Sequence, residues 1–289
     1  MHTAVLRLVL SALVLAPAAL TANSLRAETV VVTQTPATAA DLSRILQIPG
    51  IIAVMRLEGL DYGRSLEDEM FPGRGGDAWD ATVALVYDEP TMLRRFQTAF
   101  AAELQGDPAA VAAVAGYFDT PLGQRILTLE VEARQALLDK AVEAAAKERA
   151  DQMAADADPR MAALRDFATA NDLIEANVQG ALNANLGFYQ GMAEAGAFGE
   201  DMTEDQMLSD VWGQEPDIRT ETVDWLFPFL ALAYGPLSDA DLQSYTDFSR
   251  TPAGKKMNTA LFAAFDAVFV QISRDLGRAV AHQMTGDDI

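Results

Sequence analysis

The chain contains no cysteine. It therefore has no disulfide, no thiol nucleophile and no thiolate metal ligand, and attachment of a lipid through a lipobox cysteine is excluded. Histidine is nearly as scarce. Of the 2 present, His2 stands at the very start, which leaves His282 alone for imidazole chemistry. A His-based catalytic triad would rest on that one residue, and transition-metal sites built from His and Cys are effectively ruled out. Basic residues are also few, with 21 Lys and Arg against 42 Asp and Glu. Such a chain repels polyanions at long range, which disfavours nucleic acid and anionic membrane surfaces as partners. The same charge suits cationic partners or divalent ions, and it also serves plain solubility. Long apolar runs are missing. Leu8–Leu20 covers about 13 residues and Trp225–Tyr234 about ten with Pro228 inside, short of the roughly 20 that a bilayer-spanning helix needs. Leu261–Ile272 is interrupted by Asp266.

What is present at the N-terminus reads as a processing signal. Arg7 precedes the apolar run, and small residues follow at Ala22 and Ala27, the pattern of a secretory signal peptide over residues 1–27. Cleavage after Ala27 starts the mature chain at Glu28, with Ala22 as the alternative site. The protein is then expected in the periplasm, with no integral membrane segment once the signal is removed. Arg7 and Arg26 leave with it, so 42 acidic residues face 19 basic ones, a net charge of −23.

From there on, helical periodicity dominates. Residues 28–40 read as an extended leader, with Glu28–Thr33 as the one strand candidate. Leu42, Ile45 and Leu46 mark a short helix stopped by Pro49-Gly50, followed by a longer one over Ile51–Met70 that ends in the loop Phe71–Gly76. Trp79, Val83 and Val86 mark another, and Leu93, Phe96, Phe100 and Leu104 recur on one helical face. Asp107 caps Pro108–Tyr117. The spacing then predicts a helix of about 30 residues after Pro121, with Ile126, Leu129, Ala133, Ala136 and Leu137 toward the core and an Ala-rich, charged end. Past Asp158-Pro159, helices follow over Met161–Ala170, Asp172–Ala195, a capped start at Thr203 with Gln206 three residues on, Thr220–Tyr234, Ser238–Phe248 and Ala253–Met284.

One motif occurs twice. Tyr117-Phe118-Asp119-Thr120-Pro121-Leu122-Gly123-Gln124-Arg125 is echoed by Phe248-Ser249-Arg250-Thr251-Pro252-Ala253-Gly254-Lys255-Lys256, at an offset of 131 residues. At the same offset Asp107 meets Ser238, Val111 meets Leu242 and Val114 meets Tyr245. An internal repeat fixes architecture, so the chain is read as all-α: two related helical halves, 41–158 and 159–285, arising from an internal duplication and packed as a helical bundle array. Gly59-x3-Gly63 and Gly187-x3-Gly191 correspond if the intervening loops differ in length. In each junction Thr caps the new helix, Pro suits its first position, and Gly in the first turn suggests close backbone approach. The basic residues that follow oppose the helix dipole. Arg125, Lys255 and Lys256 are therefore candidates for an anion-binding turn, against the simpler reading that they pair with acidic neighbours.

The segment 237–284, from Leu237-Ser238 through Leu242, Phe248 and Thr251-Pro252-Ala253-Gly254-Lys255-Lys256, resembles a bacterial family defined as a domain of unknown function, family 2059. Its consensus is close to L-[ST]-x4-L-x5-[FY]-[FY]-x-[ST]-P-x-G-[KQ]-[KRA]. The first copy, over Asp107–Asp139, resembles it more weakly. Ser249 departs from the paired aromatics, which Tyr117-Phe118 keep. The resemblance implies an exported all-helical protein and no catalytic residue or cofactor.

Few chemistries are left. G-x-S-x-G, S-x-x-K, Walker A, dinucleotide and EF-hand spacings are all absent. The acids of Glu200–Asp205 are the best local cluster for a hard cation, and they also read as a solvated helix cap. In Asp172–Ala195, Gly180, Ala184, Gly187, Gly191 and Ala195 form a small-residue stripe suited to close helix packing, while Asn177, Asn183 and Asn185 are placed to line a cleft. The sequence calls for no cofactor and no metal. It points to a non-enzymatic periplasmic module that binds a protein or small-molecule partner, the alternative being a carboxylate-dependent hydrolase or lyase. A deep pocket with two convergent carboxylates in opposed environments would favour the enzyme, a shallow apolar groove without buried acids the binding module.

Overall fold

Side-chain caps punctuate this chain. Asp88, Asp107, Thr120, Asp139, Asp158, Thr203 and Ser238 each turn an oxygen onto a first-turn backbone N–H of the helix that follows, satisfying donors that have no partner inside the helix. The computed structural model describes residues 38–198 and 202–285, and all regular structure among them is helical. The helices are α1 (Ala39–Ile45), α2 (Ile48–Met70), α3 (Gly76–Val86), α4 (Glu89–Leu104), α5 (Pro108–Phe118), α6 (Pro121–Ala136), α7 (Lys140–Ala155), α8 (Pro159–Ala170), α9 (Leu173–Glu194), α10 (Glu204–Gly213), α11 (Glu215–Tyr234), α12 (Asp239–Arg250) and α13 (Pro252–Thr285). The signal peptide read over 1–27, the strand candidate Glu28–Thr33 and the acids Glu200 and Asp201 lie outside the described residues. Among the described residues, no helix is long and apolar enough to cross a membrane.

Four boundaries differ from the sequence reading, each for a local reason. The leader read over 28–40 gives way earlier, because Thr38 and Asp41 form a capping box that starts α1 at Ala39. Pro49-Gly50 does not stop a helix. Gln47 takes the left-handed conformation at φ 57° and Pro49 falls in the first turn of α2, where a missing N–H is harmless. The helix of about 30 residues after Pro121 is two helices. Asp139 caps a new start by accepting from the Ala141 N–H, and the charged α7 folds back onto α11, burying Ala146, Ala150 and Met153. Finally, α11 begins at Glu215, five residues before the expected Thr220, with Pro216 in its first turn.

The repeated junctions share their geometry. Thr120 Oγ1 accepts from the Gly123 N–H at 3.0 Å and donates to the Tyr117 carbonyl at 2.6 Å; Thr251 does the same with Gly254 at 3.0 Å and Phe248 at 2.7 Å. The glycine is required by the chain's own preceding turn, since a Cβ on Gly123 would lie 2.5 Å from Phe118 Cα. The two corners meet: the rings of Tyr117 and Phe248 stack at 4.1 Å, 14° from parallel. Upstream the likeness ends. Gly59 and Gly63 face the side chains of Tyr87 and Val83, whereas Gly187 and Gly191 face backbone carbonyls of α13.

One continuous apolar cluster runs from Leu42 to Val280, so both halves of the sequence contribute to a single core. Its axis is α13, which packs along α9 and also against α2, α3, α4, α5 and α12. The helices α9 and α13 run parallel. Their facing pairs advance together, from Asn171 with Asn258 through Asn183 with Asp266 to Glu194 with Arg278. At the far end the small-residue stripe lets the backbones touch. A Cβ on Gly187 would lie 2.8 Å from the Val270 carbonyl, and one on Gly191 would collide with that of Arg274.

Candidate functional site

At their near end α9 and α13 do not close on each other, and α11 completes the wall of a cavity of ≈ 420 Å³. Large apolar side chains dominate its lining, Phe167, Trp225, Phe229, Phe262, Phe265 and Phe269 among them. They are placed there by helical spacing: Trp225 and Phe229 stand one turn apart on α11 with rings stacked at 4.9 Å, and Phe265 and Phe269 stand one turn apart on α13 with rings tilted at 6.4 Å. Trp225, Phe262 and Asp266 are half-exposed at the mouth, while Phe229, Tyr234 and Tyr245 are buried deeper. Among the described residues the lining contains Glu130, Asp172 and Asp266 and no Lys, Arg or His.

The polar floor is a glutamate and two tyrosines. Glu130 of α6 is 2 % exposed, and the Tyr234 hydroxyl donates a hydrogen bond to its Oε1. Burial pushes the Glu130 carboxyl well above the ordinary carboxylate range, and the Tyr234 hydrogen bond only partly opposes that. Burial likewise raises both tyrosines, helped by the nearby Glu130. A carboxyl without a cation beside it is too costly to keep charged in such a place, so it takes up a proton. The same helix carries Arg134, 3 % exposed, but its guanidinium turns away to Glu58 of α2 at 2.5 Å. At the mouth, Asp266 accepts from Asn183 Nδ2 at 2.9 Å. Burial raises its pKa and that hydrogen bond lowers it less.

The six residues singled out in the sequence separate into those at the cavity and those away from it. Asn177 and Asn183 both line the cavity. Asn177 spends its Nδ2 on the Leu173 carbonyl one turn back, at 2.6 Å, and Asn183 bridges α9 to α13. Asn185 faces elsewhere, donating to Gln214 at 2.8 Å. Arg125, Lys255 and Lys256 lie away from the cavity. Arg125 donates to the Pro236 carbonyl at 2.7 Å, Lys256 pairs with Glu103 at 3.3 Å, and Lys255 is exposed. The pairing reading therefore describes Lys256, and Arg125 finds a carbonyl instead of an acid.

Sequence reasoning missed Glu130. The signal was there, because Glu130 stands four residues after Ile126 and three after Leu127, on the face that α6 buries. Counting only apolar residues placed that face correctly on Ile126, Ala133 and Leu137, which are buried, and also on Leu129 and Ala136, which are half-buried, but passed over the carboxyl among them. Among the described residues, no group of three or more His, Cys, Asp or Glu is placed to hold a metal ion. The chain was compared with protein-family models, with curated proteins and with solved structures, and it matches none of them.

Proposed function

We propose that this is a non-enzymatic binding protein, exported to the periplasm, that holds a small apolar molecule in the cavity between α9, α11 and α13. The observation that carries the reading is the cavity itself: an opening into the core, walled by aromatic rings beside amide side chains such as Asn177 and Asn183, with a hydrogen-bonding floor. Sites for small ligands have this composition. The N-terminal pattern supports export, and the junction residues of 237–284 support membership of the family they resemble. The carboxylate-enzyme alternative asks for two acids driven in opposite directions. In this cavity Glu130 and Asp266 are both driven upward by burial, which favours the binding module.

A neutral fluorescent probe such as Nile red tests the proposal. The purified protein should bind it with a Kd in the micromolar range and show a blue shift. Ala176→Phe, which fills the cavity from α9, should remove that signal while far-UV circular dichroism stays helical. Absence of binding by wild type, or equal binding by Ala176→Phe, refutes the reading.

A further inference from the structure

We infer that the ligand is a hydrophobic amine, taken up as its ammonium cation, with the Glu130 carboxyl at the cavity floor as its counter-ion. The inference rests on the cavity being a binding site and adds the chemical class of what it binds.

Three observations converge on that class. Among the described residues the lining offers three carboxyl groups and not one basic side chain, so a carboxylate or phosphate ligand would enter without a partner there and against like charge. Aromatic faces surround the path inward: Trp225, Phe229 and Phe262 lead to Phe167, Tyr234 and Tyr245. Rings of this kind attract a cation most where water is excluded. Among the described residues, no positive charge is recorded beside the buried carboxyl of Glu130. Its hydrogen-bond partner is the Tyr234 phenol of α11, and Tyr245 of α12 and Tyr117 of α5 are near enough for Glu130 to raise them. The basic residue one turn along α6, Arg134, is held by Glu58. Glu130 is thus a buried acid in want of a cation, at the end of an aromatic passage whose mouth carries Asp266.

The charge balance of binding follows directly. Below its raised pKa, Glu130 of the empty protein holds a proton. When an ammonium group reaches it, the carboxyl releases that proton to solvent, and the resulting carboxylate pairs with the cation. One proton leaves for each cation that enters, so binding leaves the net charge of the cavity unchanged. Affinity for a ligand that remains cationic should therefore rise with pH, by up to about tenfold per unit while Glu130 is protonated in the free protein. A neutral ligand of the same shape should show no such rise.

Calorimetric titration of the purified protein with 4-phenylbutylamine, 4-phenylbutan-1-ol and 4-phenylbutyrate, at pH 5.5 and 7.5, tests this. The expected result is tenfold or tighter binding of the amine than of the alcohol at pH 7.5, a smaller gap at pH 5.5, and the weakest binding by the carboxylate. Repeating the amine titration in buffers of different ionisation enthalpy should show proton release, a readout that needs no variant. In Glu130→Gln the amine should fall to the affinity that the alcohol has for the same variant. If the alcohol binds as tightly as the amine at both pH values, or the amine advantage survives in Glu130→Gln, or no proton is released, the inference is overturned while the cavity stands as an apolar site. If none of the three probes binds, and Nile red does not either, both readings are overturned.

Discussion

The two ends of the α9–α13 pair are built from the same kinds of residue and come out opposite. Toward Gly187 and Gly191 the helices touch backbone to backbone, and the space between them is gone. Toward Asn177 and Asn183 the same two helices hold a cavity whose walls are Leu173, Ala176, Phe262 and Phe265. Small residues run through both ends, since Gly180 also lines the cavity. Small size alone therefore does not set helix separation. What differs is the partner: backbone carbonyls of α13 at the tight end, bulky rings of α11 and α13 that prop the other end open. Close packing and a binding site are two outcomes of one stripe.

The largest expected effect breaks the tight end. Gly191→Leu puts a side chain into the Arg274 carbonyl and should cost at least about 3 kcal/mol or prevent folding, read by urea denaturation. Ala176→Leu, the matching enlargement at the open end, should change stability by less than about 1 kcal/mol and weaken ligand binding instead. Similar losses in the two variants would erase the distinction between the ends.

Next in size is a pH effect confined to the cavity. The folded-state pKa of Glu130 is raised above its ordinary 4.5, so the folded protein binds more protons than the unfolded chain in the window above that value. Stability contributed by the neutral carboxyl is fully present below pH 4.5 and is lost as pH rises toward the folded pKa, by about 1.4 kcal/mol per unit. Glu130→Gln should remove this slope, so the difference in unfolding free energy between variant and wild type should grow with pH from 4.5 upward. A constant difference would mean that Glu130 is ionised in the folded state.

Smaller still is the bridge where the ends meet. Asn183→Ala removes the hydrogen bond to Asp266 and should cost about 0.5–1.5 kcal/mol. It should also speed ligand exchange at the cavity mouth, measured by stopped-flow fluorescence of Trp225. The smallest effect belongs to the surface of the tight end. Glu194 accepts from Arg274 and from Arg278, yet these groups are about a third or more exposed. Glu194→Ala should cost under about 1 kcal/mol and less in high salt. A larger, salt-independent loss would show that this end depends on charge pairing more than on backbone contact.

Much of the fold was legible because it rests on local chemistry. Asp107, Thr120, Ser238 and Thr251 could be read as caps from their own sequence context, and the Gly187–Gly191 stripe announced a close approach without naming α13. The break at Asp139 was less visible, since Ala and charged residues continue on both sides and the turn is secured by packing of α7 on α11. The site was legible only at its edge. Asn177 and Asn183 sit on a face that periodicity exposes to view, whereas Glu130 owes its role to Tyr234, 104 positions away. Arg125 and Lys256 were conspicuous by their unfavourable place at helix starts, and tertiary partners account for both.

The position of α13 in the core also dictates an order of events during synthesis. This helix supplies the surface on which α2, α3, α4, α5 and α9 complete their burial, and it is made after all of them. Until it emerges, the faces that these helices turn to α13 stay uncovered, whereas contacts such as those of α11 with α6 and α7 need no part of it. The core is therefore closed late.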